Sequence, residues 1–460
     1  MKKKSLLTTL LTIAMCLCLS VGATFALFTD EAKVNVAVTS GTVDVNATAI
    51  ATQTGSDLGT ANANFSVSED GNGGFILEGM AIGDWAEFEI KVENDSDIDV
   101  KWQIETLLNG ELAPALNVEI KDSNSNVIAN NSATKWIYRT VGEGVDVDTY
   151  TIHVGLPTTG TDAGDNVYMG KTANLLFTVK AVQGNATTYD PVNSKAEFAG
   201  ALASGGNVEI KEDYVLNESL PNGGLKEDVA ISLNGNTLEA TTSYNVSGDF
   251  SVVNGTYEMN NTYGHADVRA NEAGETVNIV YDDVDFVSTY KYYTYGTSTN
   301  RLVSALEVCP TADDTVTNVL FKDCSFVNAG IVIEDFNDHG AVVNVVFENC
   351  EFEALTNDEI INVFTYKDTV VNVTVKNCTF DITATSNSSV IGVRNQANIT
   401  FEGNNIVNLT KATPYDDPVD DKEDIKVFAT VSVKLVDNAN AVVDGKNTVT
   451  INDPDGIFKN

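Results

Sequence analysis

The sequence predicts an all-β protein of two domains, a jelly-roll or β-sandwich domain followed by a right-handed parallel β-helix. Three observations point there. At 460 residues the chain exceeds one ordinary core. Residues 34–183 alternate apolar and polar side chains between Gly, Asn and Asp turns, with almost no helical period. From residue 249 a short motif recurs at intervals of 29, 40, 26, 28 and 26 residues, mostly in the twenties, the period of a solenoid whose coils bury their apolar faces on one another.

The chain opens with a leader. Met1-Lys-Lys-Lys4 is cationic, Leu6 to Val21 is uncharged, and Thr24 and Ala26 supply the small residues at −3 and −1 that signal peptidase requires. Cleavage between Ala26 and Leu27 is expected. The apolar stretch is too short for a membrane span, so no span is expected in the mature chain. Gly22-Ala-Thr-Phe-Ala-Leu-Phe-Thr-Asp30, followed by Thr39-Ser-Gly-Thr-Val-Asp-Val45, resembles the export signal and first strand of the TasA/camelysin family. These are secreted β-proteins of Gram-positive bacteria that rely on a dedicated signal peptidase. Two later stretches extend the resemblance to about residue 185. Gly79-Met-Ala-Ile-Gly-Asp84 with Val92-Glu-Asn94 looks like the family's turn and strand, with Ile82 where Pro is common. Gly164-Asp-Asn-Val-Tyr-Met-Gly170 with Phe177 to Gln183 looks like its closing strands, with Met169 where Gln is usual.

The chain carries 27 basic and 65 acidic residues, a net charge of −38, and three of the lysines belong to the leader. Such a balance argues against nucleic acid and anionic membrane surfaces, which are bound through Lys and Arg. With 43% hydrophobic residues the chain is foldable, so its acidity reads as a solvated exterior that attracts divalent cations. Cys16 and Cys18 leave with the leader; Cys309, Cys324, Cys350 and Cys378 remain, too few for a disulfide-stapled scaffold.

Residues 27–185 form the first expected domain. Phe75 to Leu77, Trp85 to Val92, Val100 to Ile104, Leu116 to Ile120, Tyr150 to Val154 and Leu175 to Val182 read as its strands. The segment from Lys33 to Thr39 also alternates, with no nearby turn signal to give it a hairpin partner. Residues 186–193 are a polar linker holding Pro191, and the β-helix is expected over 194–460. It starts with a helix from Ser194 to Ala203, capped by Ser194 with Glu197 three residues on, which would cover the open end of the solenoid.

Six repeat units follow, beginning at Asp249, Asn278, Asn318, Asn344, Asn372 and Asn398, each read as two short strands around a corner. The corner carries Asn254, Asp283, Asp323, Asn349, Asn377 and Gly403, types that tolerate left-handed backbone. The next position points inward and carries Gly255, Val284, Cys324, Cys350, Cys378 and Asn404; two residues on stand Tyr257, Phe286, Phe326, Phe352, Phe380 and Ile406. This segment resembles the pectin-lyase-like superfamily. Six to eight coils would give a rod roughly 30 to 40 Å long at a strand spacing of about 4.8 Å. The three stacked cysteines are read as buried thiols, with one disulfide or a metal site as alternatives.

The superfamily implies cleavage of acidic polysaccharides, which needs clustered Asp residues with His or Arg on one face. Asp282, Asp283, Asp313, Asp314, His265, His339 and Arg394 are the available candidates, and in the repeat register they read as turns and corners with no shared face. Camelysin-like relatives are described as proteases, but there is no His-Glu-x-x-His, and His153 lies in a predicted strand. No catalytic or cofactor residues are therefore assigned. Asp95, Asp97 and Asp99 alternate as in a calcium loop, yet Val100 stands where Gly is needed. Asp416, Asp417, Asp420, Asp421, Glu423 and Asp424 form a denser cluster, read as either an acidic loop or a calcium site.

The resemblance implies a secreted extracellular-matrix or cell-surface protein of a Gram-positive bacterium that associates with itself or with other matrix proteins. The alternatives are a glycan-binding adhesin using the tyrosines of Tyr290-Lys-Tyr-Tyr-Thr-Tyr295, or a polysaccharide lyase or hydrolase. No sortase-type tail or lipobox cysteine is seen, so non-covalent retention is expected. N-terminal sequencing of the secreted protein should begin at Leu27; a start several residues downstream would remove the first strand and overturn the family resemblance.

Overall fold

The computed structural model describes residues 30–33, 38–40 and 43–455, apart from 60, 72, 97, 141–146, 159–166, 169, 261–263, 289–292, 296–297, 336, 338, 357, 366–367, 385–387, 395, 413–424, 432–439 and 445–448. The leader with its Ala26 and Leu27 junction, and the acidic residues from Asp416 to Asp424, lie outside the described residues. Two compact units are present, Met1–Pro191 and Val192–Asn460.

In the first unit two antiparallel sheets close on one core, because alternating strands turn every second side chain inward. One sheet runs Ile137–Arg139, Val100–Asn109, Thr172–Gln183, Phe75–Glu78, Ser66–Glu69. The other runs Val38–Ser40, Val43–Ser56, Asp84–Asn94, Val147–Gly155, Asn117–Lys121, Val127–Asn130. Ala86, Phe88, Ile90 and Val92 from the second sheet meet Phe75, Trp102, Ile104 and Phe177 from the first in one buried cluster. The rings of Phe75 and Phe88 lie 4.8 Å apart, and Phe177 closes edge-on to Phe88 at 5.3 Å. Trp102 Nε1 donates to the Tyr150 hydroxyl at 3.0 Å, so the buried indole N–H is satisfied. In the turn before Asp84 the carboxylate is buried and accepts from Ala81 N at 2.8 Å and from Asn62 N. Gly79 adopts φ 69°, and a Cβ there would lie 2.2 Å from the Asn64 carbonyl oxygen.

The N-terminal segment, read as lacking a hairpin partner, is paired on both sides of residues 34–37, which lie outside the described residues. Asp30–Lys33 lies antiparallel on Thr178 to Ala181, along a stretch of the long strand beyond its pairing with Phe75–Glu78. Val38–Ser40 turns back onto Val43 to Val45 as a hairpin. Residues 41–42 between them lie outside the described residues.

The second unit is a parallel β-helix. Its Lys195–Ser204 helix is capped by Ser194, whose side chain accepts from Glu197 N, and it ends at Gly205, φ 77°. Phe198 and Leu202 join the solenoid core. The coils carry three strands, not the two read from the repeat. In the coil after residue 341 these are Val342–Glu348, Glu351–Thr356 and Glu359–Thr365. The first two belong to one continuous parallel sheet and the third to a separate seven-stranded sheet, here termed the third face. The third strand escapes the repeat alignment because segments of unequal length precede it and its outward residues differ in every coil.

Like side chains stack on like. Phe286, Phe326, Phe352 and Phe380 form a column with centroids 4.8, 4.5 and 4.6 Å apart and planes within 7°. Tyr281, Phe321 and Phe347 form a parallel column at 5.2 and 5.1 Å, meeting the first edge-on. Outside, Asn318, Asn344, Asn372 and Asn398 each donate from Nδ2 to the Oδ1 of the Asn one coil earlier at 2.8 to 3.0 Å, and Asn278 ends the ladder on Asp249. At the corner, Asn349 donates to Asp323 and Asn377 to Asn349, with φ between 52° and 56° at all three. Alternating charges add a third ladder, in which Lys322 reaches Asp282 at 3.1 Å and Lys376 reaches Glu348 at 2.6 Å.

Cys324, Cys350 and Cys378 are free and buried, each Sγ resting near a main-chain carbonyl of the coil before, 3.4 to 3.5 Å away. The last unit departs from the expected alignment by one residue. Asn405, not Asn404, takes the inward place, with Oδ1 accepting from Cys378 N at 2.9 Å, and Val407, not Ile406, pairs with Phe380. The extra residue fits because Gly403, φ 65°, leaves room for the Asn377 amide, whose Oδ1 would lie 2.0 Å from any Cβ there.

A buried charge in the cysteine column has no partner, so Cys350→Asp should cost about 3 kcal/mol or more, and Phe352→Ala about 3 to 5 kcal/mol through the cavity it leaves. Glu353→Gln, on an exposed site, should be near neutral. Urea unfolding of the three variants checks this ordering, and equal midpoints would overturn the register.

Candidate functional site

The third face brings unlike titratable side chains, among them a histidine and a cysteine, close together. Its strands Ala266–Val268, Val303–Val308, Ala329–Asp335, Glu359–Thr365 and Ser388–Arg394 turn Val268, Val308, Ile333, Val363 and Val393 inward. The alternating positions therefore face outward. Asp267 pairs in register with Glu307, and Glu334 with Phe364 and then Arg394. Arg269 and Cys309 follow their strands at the same outward spacing.

His265 Nε2 lies 3.0 Å from Asp267 Oδ1 and 3.3 Å from Glu307 Oε2. Only 4% of His265 and 8% of Asp267 is exposed. An Arg269 Nη2 donates to the other Asp267 oxygen at 3.2 Å. Cys309 Sγ lies 3.8 Å from Glu334 Oε1. Among the described residues, His265/Asp267/Glu307 and Glu307/Cys309/Glu334 are the sets of three such donors converging within 4.8 Å, and they share Glu307.

The contacts set the protonation states. Burial alone would lower the His265 pKa, but Asp267 and Glu307 outweigh it and carry the ring up to about 9. Glu307 is held below its usual range, first by His265, against the opposing effect of burial. Glu334 is pushed up to about 8 by burial and by its hydrogen bond to Glu307, and burial lifts the Cys309 thiol to about 12. At neutral pH an imidazolium, two carboxylates, a guanidinium and a protonated carboxyl compensate one another.

The residues singled out from sequence divide between faces. His265 and Arg394 are on the third face, Arg394 lying over the Phe364 ring at 5.6 Å. Asp282 is paired with Lys322 on the repeat sheet, while Asp283 and Asp314 occupy left-handed corners at φ 57° and 56°. His339 Nδ1 meets the buried Asp335 at 2.9 Å, and Thr369 Oγ1 donates to the same carboxylate at 2.5 Å, which pins a turn. Asp95 and Asp99 point to separate partners, Asn46 and Tyr138, while Asp97 lies outside the described residues. Tyr293–Tyr295 pairs antiparallel with Ser298–Arg301; the tyrosines before it lie outside the described residues. Asp267, Glu307, Cys309 and Glu334 went unrecognised in the sequence. Their signal was the alternation His265-Ala-Asp267 and Glu307-Val-Cys309 around inward apolar residues, which marks the missed third strand.

A family model described as camelysin metallo-endopeptidase matches residues 1–188. No curated protein matches the chain. Among solved structures, the catalytic unit of a thermostable GH87 alpha-1,3-glucanase from Streptomyces thermodiastaticus strain HF3-3 aligns over 92% of this chain and 98% of its own at 10% identity, with a TM-score of 0.16, too low to carry any argument. The family's name implies a catalytic metal. In the matched region His153 Nδ1 meets Glu87 at 3.3 Å and packs against the Trp85 ring at 5.3 Å, and no third donor joins them among the described residues. That pair does not fit a catalytic zinc, which takes three protein ligands.

Two substitutions and a pH series test the protonation states. Glu334→Gln keeps a neutral hydrogen-bonding group beside Glu307 and should leave stability nearly unchanged at neutral pH, whereas Glu307→Gln deprives buried His265 of a partner and should cost about 1 to 3 kcal/mol. His265 and Glu334 both hold protons in the folded chain that the unfolded chain releases, with folded values of about 9 and about 8. Their contribution is thus full at low pH and lost as pH rises through those values. Calorimetry in metal-free buffer should show a melting temperature that falls between about pH 7 and pH 9, with a shallower fall in Glu334→Gln.

Proposed function

We propose that the chain is a secreted structural protein of an extracellular matrix or cell surface, in which the first unit assembles or anchors and the second serves as a rigid display rod. The match of residues 1–188 to the camelysin family model carries this reading, since the matched region has the features of that family's secreted β-proteins and its described residues do not bring together the ligands of a protease metal. The third face does not favour glycan hydrolysis. Glu307 and Glu334 bring carboxyl oxygens within 4.8 Å of each other, short of the roughly 5 to 9.5 Å that separates the carboxyls of glycosidases.

Assembly follows from the first strand. Asp30–Lys33 pairs with four residues of the Thr172–Gln183 strand through a main-chain ladder. A strand supplied by a neighbouring copy would satisfy the same N–H and C=O groups, so exchange conserves the ladder and is driven by concentration. Without the three leader lysines the net charge of −38 becomes about −41, which opposes association, and calcium or salt relieves that repulsion, the segment from Asp416 to Asp424 being the densest acidic stretch.

The chain starting at Leu27 should form head-to-tail oligomers as protein and calcium concentrations rise, and the chain lacking residues 27–40 should stay monomeric. Light scattering and electron microscopy on both decide it. A full mature chain that remains monomeric throughout would replace the matrix reading with that of a soluble glycan-binding adhesin, and release of sugar products from polysaccharide would replace it with an enzyme.

A further inference from the structure

We infer that His265, Asp267 and Glu307 form a binding site for one divalent transition-metal ion of the Zn²⁺ class, with Glu334 and Cys309 beside its open position, and that the ion ties successive coils of the β-helix together. This inference goes beyond the structural reading of the chain and does not depend on it.

The geometry is that of a coordination shell without its centre. Metal–ligand bonds of about 2.0 to 2.1 Å at tetrahedral angles put neighbouring donor atoms about 3.3 Å apart. His265 Nε2 stands 3.0 Å from Asp267 Oδ1 and 3.3 Å from Glu307 Oε2. The donors come from two successive strands of one rigid sheet, and Glu334 from the next, so the backbone ladder fixes their spacing before any ion arrives. Arg269 bonds the outer oxygen of Asp267 and leaves Oδ1 toward the histidine, the arrangement in which a neighbouring group orients a ligating carboxylate.

Charge and chemistry select the ion. His265, Asp267 and Glu307 bring one donor atom each within 4.8 Å of one another, and Glu307 belongs also to a second such set with Cys309 and Glu334. Imidazole nitrogen with a thiol in reach favours Zn²⁺ or Co²⁺ over Ca²⁺ and Mg²⁺, which prefer shells of oxygen. The site lies outside residues 1–188, so it is separate from any metal that the family description implies there.

Zn²⁺ and Co²⁺ are titrated into the chelator-treated mature chain by calorimetry and absorption spectroscopy. One equivalent should bind with release of protons, raise the melting temperature and persist in excess Ca²⁺. His265→Gln and Asp267→Asn should each weaken Zn²⁺ binding on the order of tenfold or more. X-ray absorption at the zinc edge of the unsubstituted chain should report one imidazole nitrogen among light donors at about 2.0 to 2.1 Å, a readout that stands even if a variant fails to fold. No binding, a shell without imidazole, or affinity unchanged in folded His265→Gln would each overturn the inference.

Discussion

The second unit depends on one constraint: parallel strands in register place equivalent residues directly over one another, coil after coil. Once the backbone ladder is set, whatever occupies a position must tolerate its own kind as a neighbour about 4.8 Å away. Aromatic rings meet that demand by stacking, amides by donating to the next amide, and charges by alternating in sign. The phenylalanine columns, the run from Asp249 through Asn398 and the succession Asp282, Lys322, Glu348, Lys376 are three solutions to that demand. Each contact is small, and each repeats, so stability accumulates along the rod as nearest-neighbour terms.

The same constraint makes the third face chemically distinct. There the outward residues are not copies of one another, and the register brings unlike groups together: His265 and Asp267 beside Glu307, and Glu307 beside Glu334. Acidic groups so close are normally kept apart by repulsion. They persist because imidazole, guanidinium and a retained proton compensate them, and because the sheet beneath, lined by Val268, Val308 and Ile333, is too well packed to let them separate. Where a solenoid breaks its own repetition, it creates a place with chemistry of its own.

The first unit solves a different problem. Its two sheets share a core of Phe75, Phe88, Trp102 and Phe177, and its single histidine is spent on Glu87 and the face of Trp85. A main-chain ladder joins Asp30–Lys33 to Thr178 through Ala181. Backbone pairing carries little sequence information, which suits the strand exchange proposed above.

The sequence by itself determined whatever rests on local period and repetition. Alternation located the strands around Trp85 to Val92 and Leu175 to Val182, the Ser194 cap and Gly205 marked the short helix, and the recurring Asn, corner and aromatic positions set the coil register through Cys378, because each is a demand that a single coil makes on its own residues. What only the tertiary structure decided depends on distances that no period encodes. The hairpin at Val38–Ser40 has no strong turn signal, and the one-residue slip at Asn405 follows from space above Gly403. The cluster of His265, Asp267, Glu307, Cys309 and Glu334 draws on positions up to 69 residues apart, joined only because segments of unequal length return each third strand to the same face.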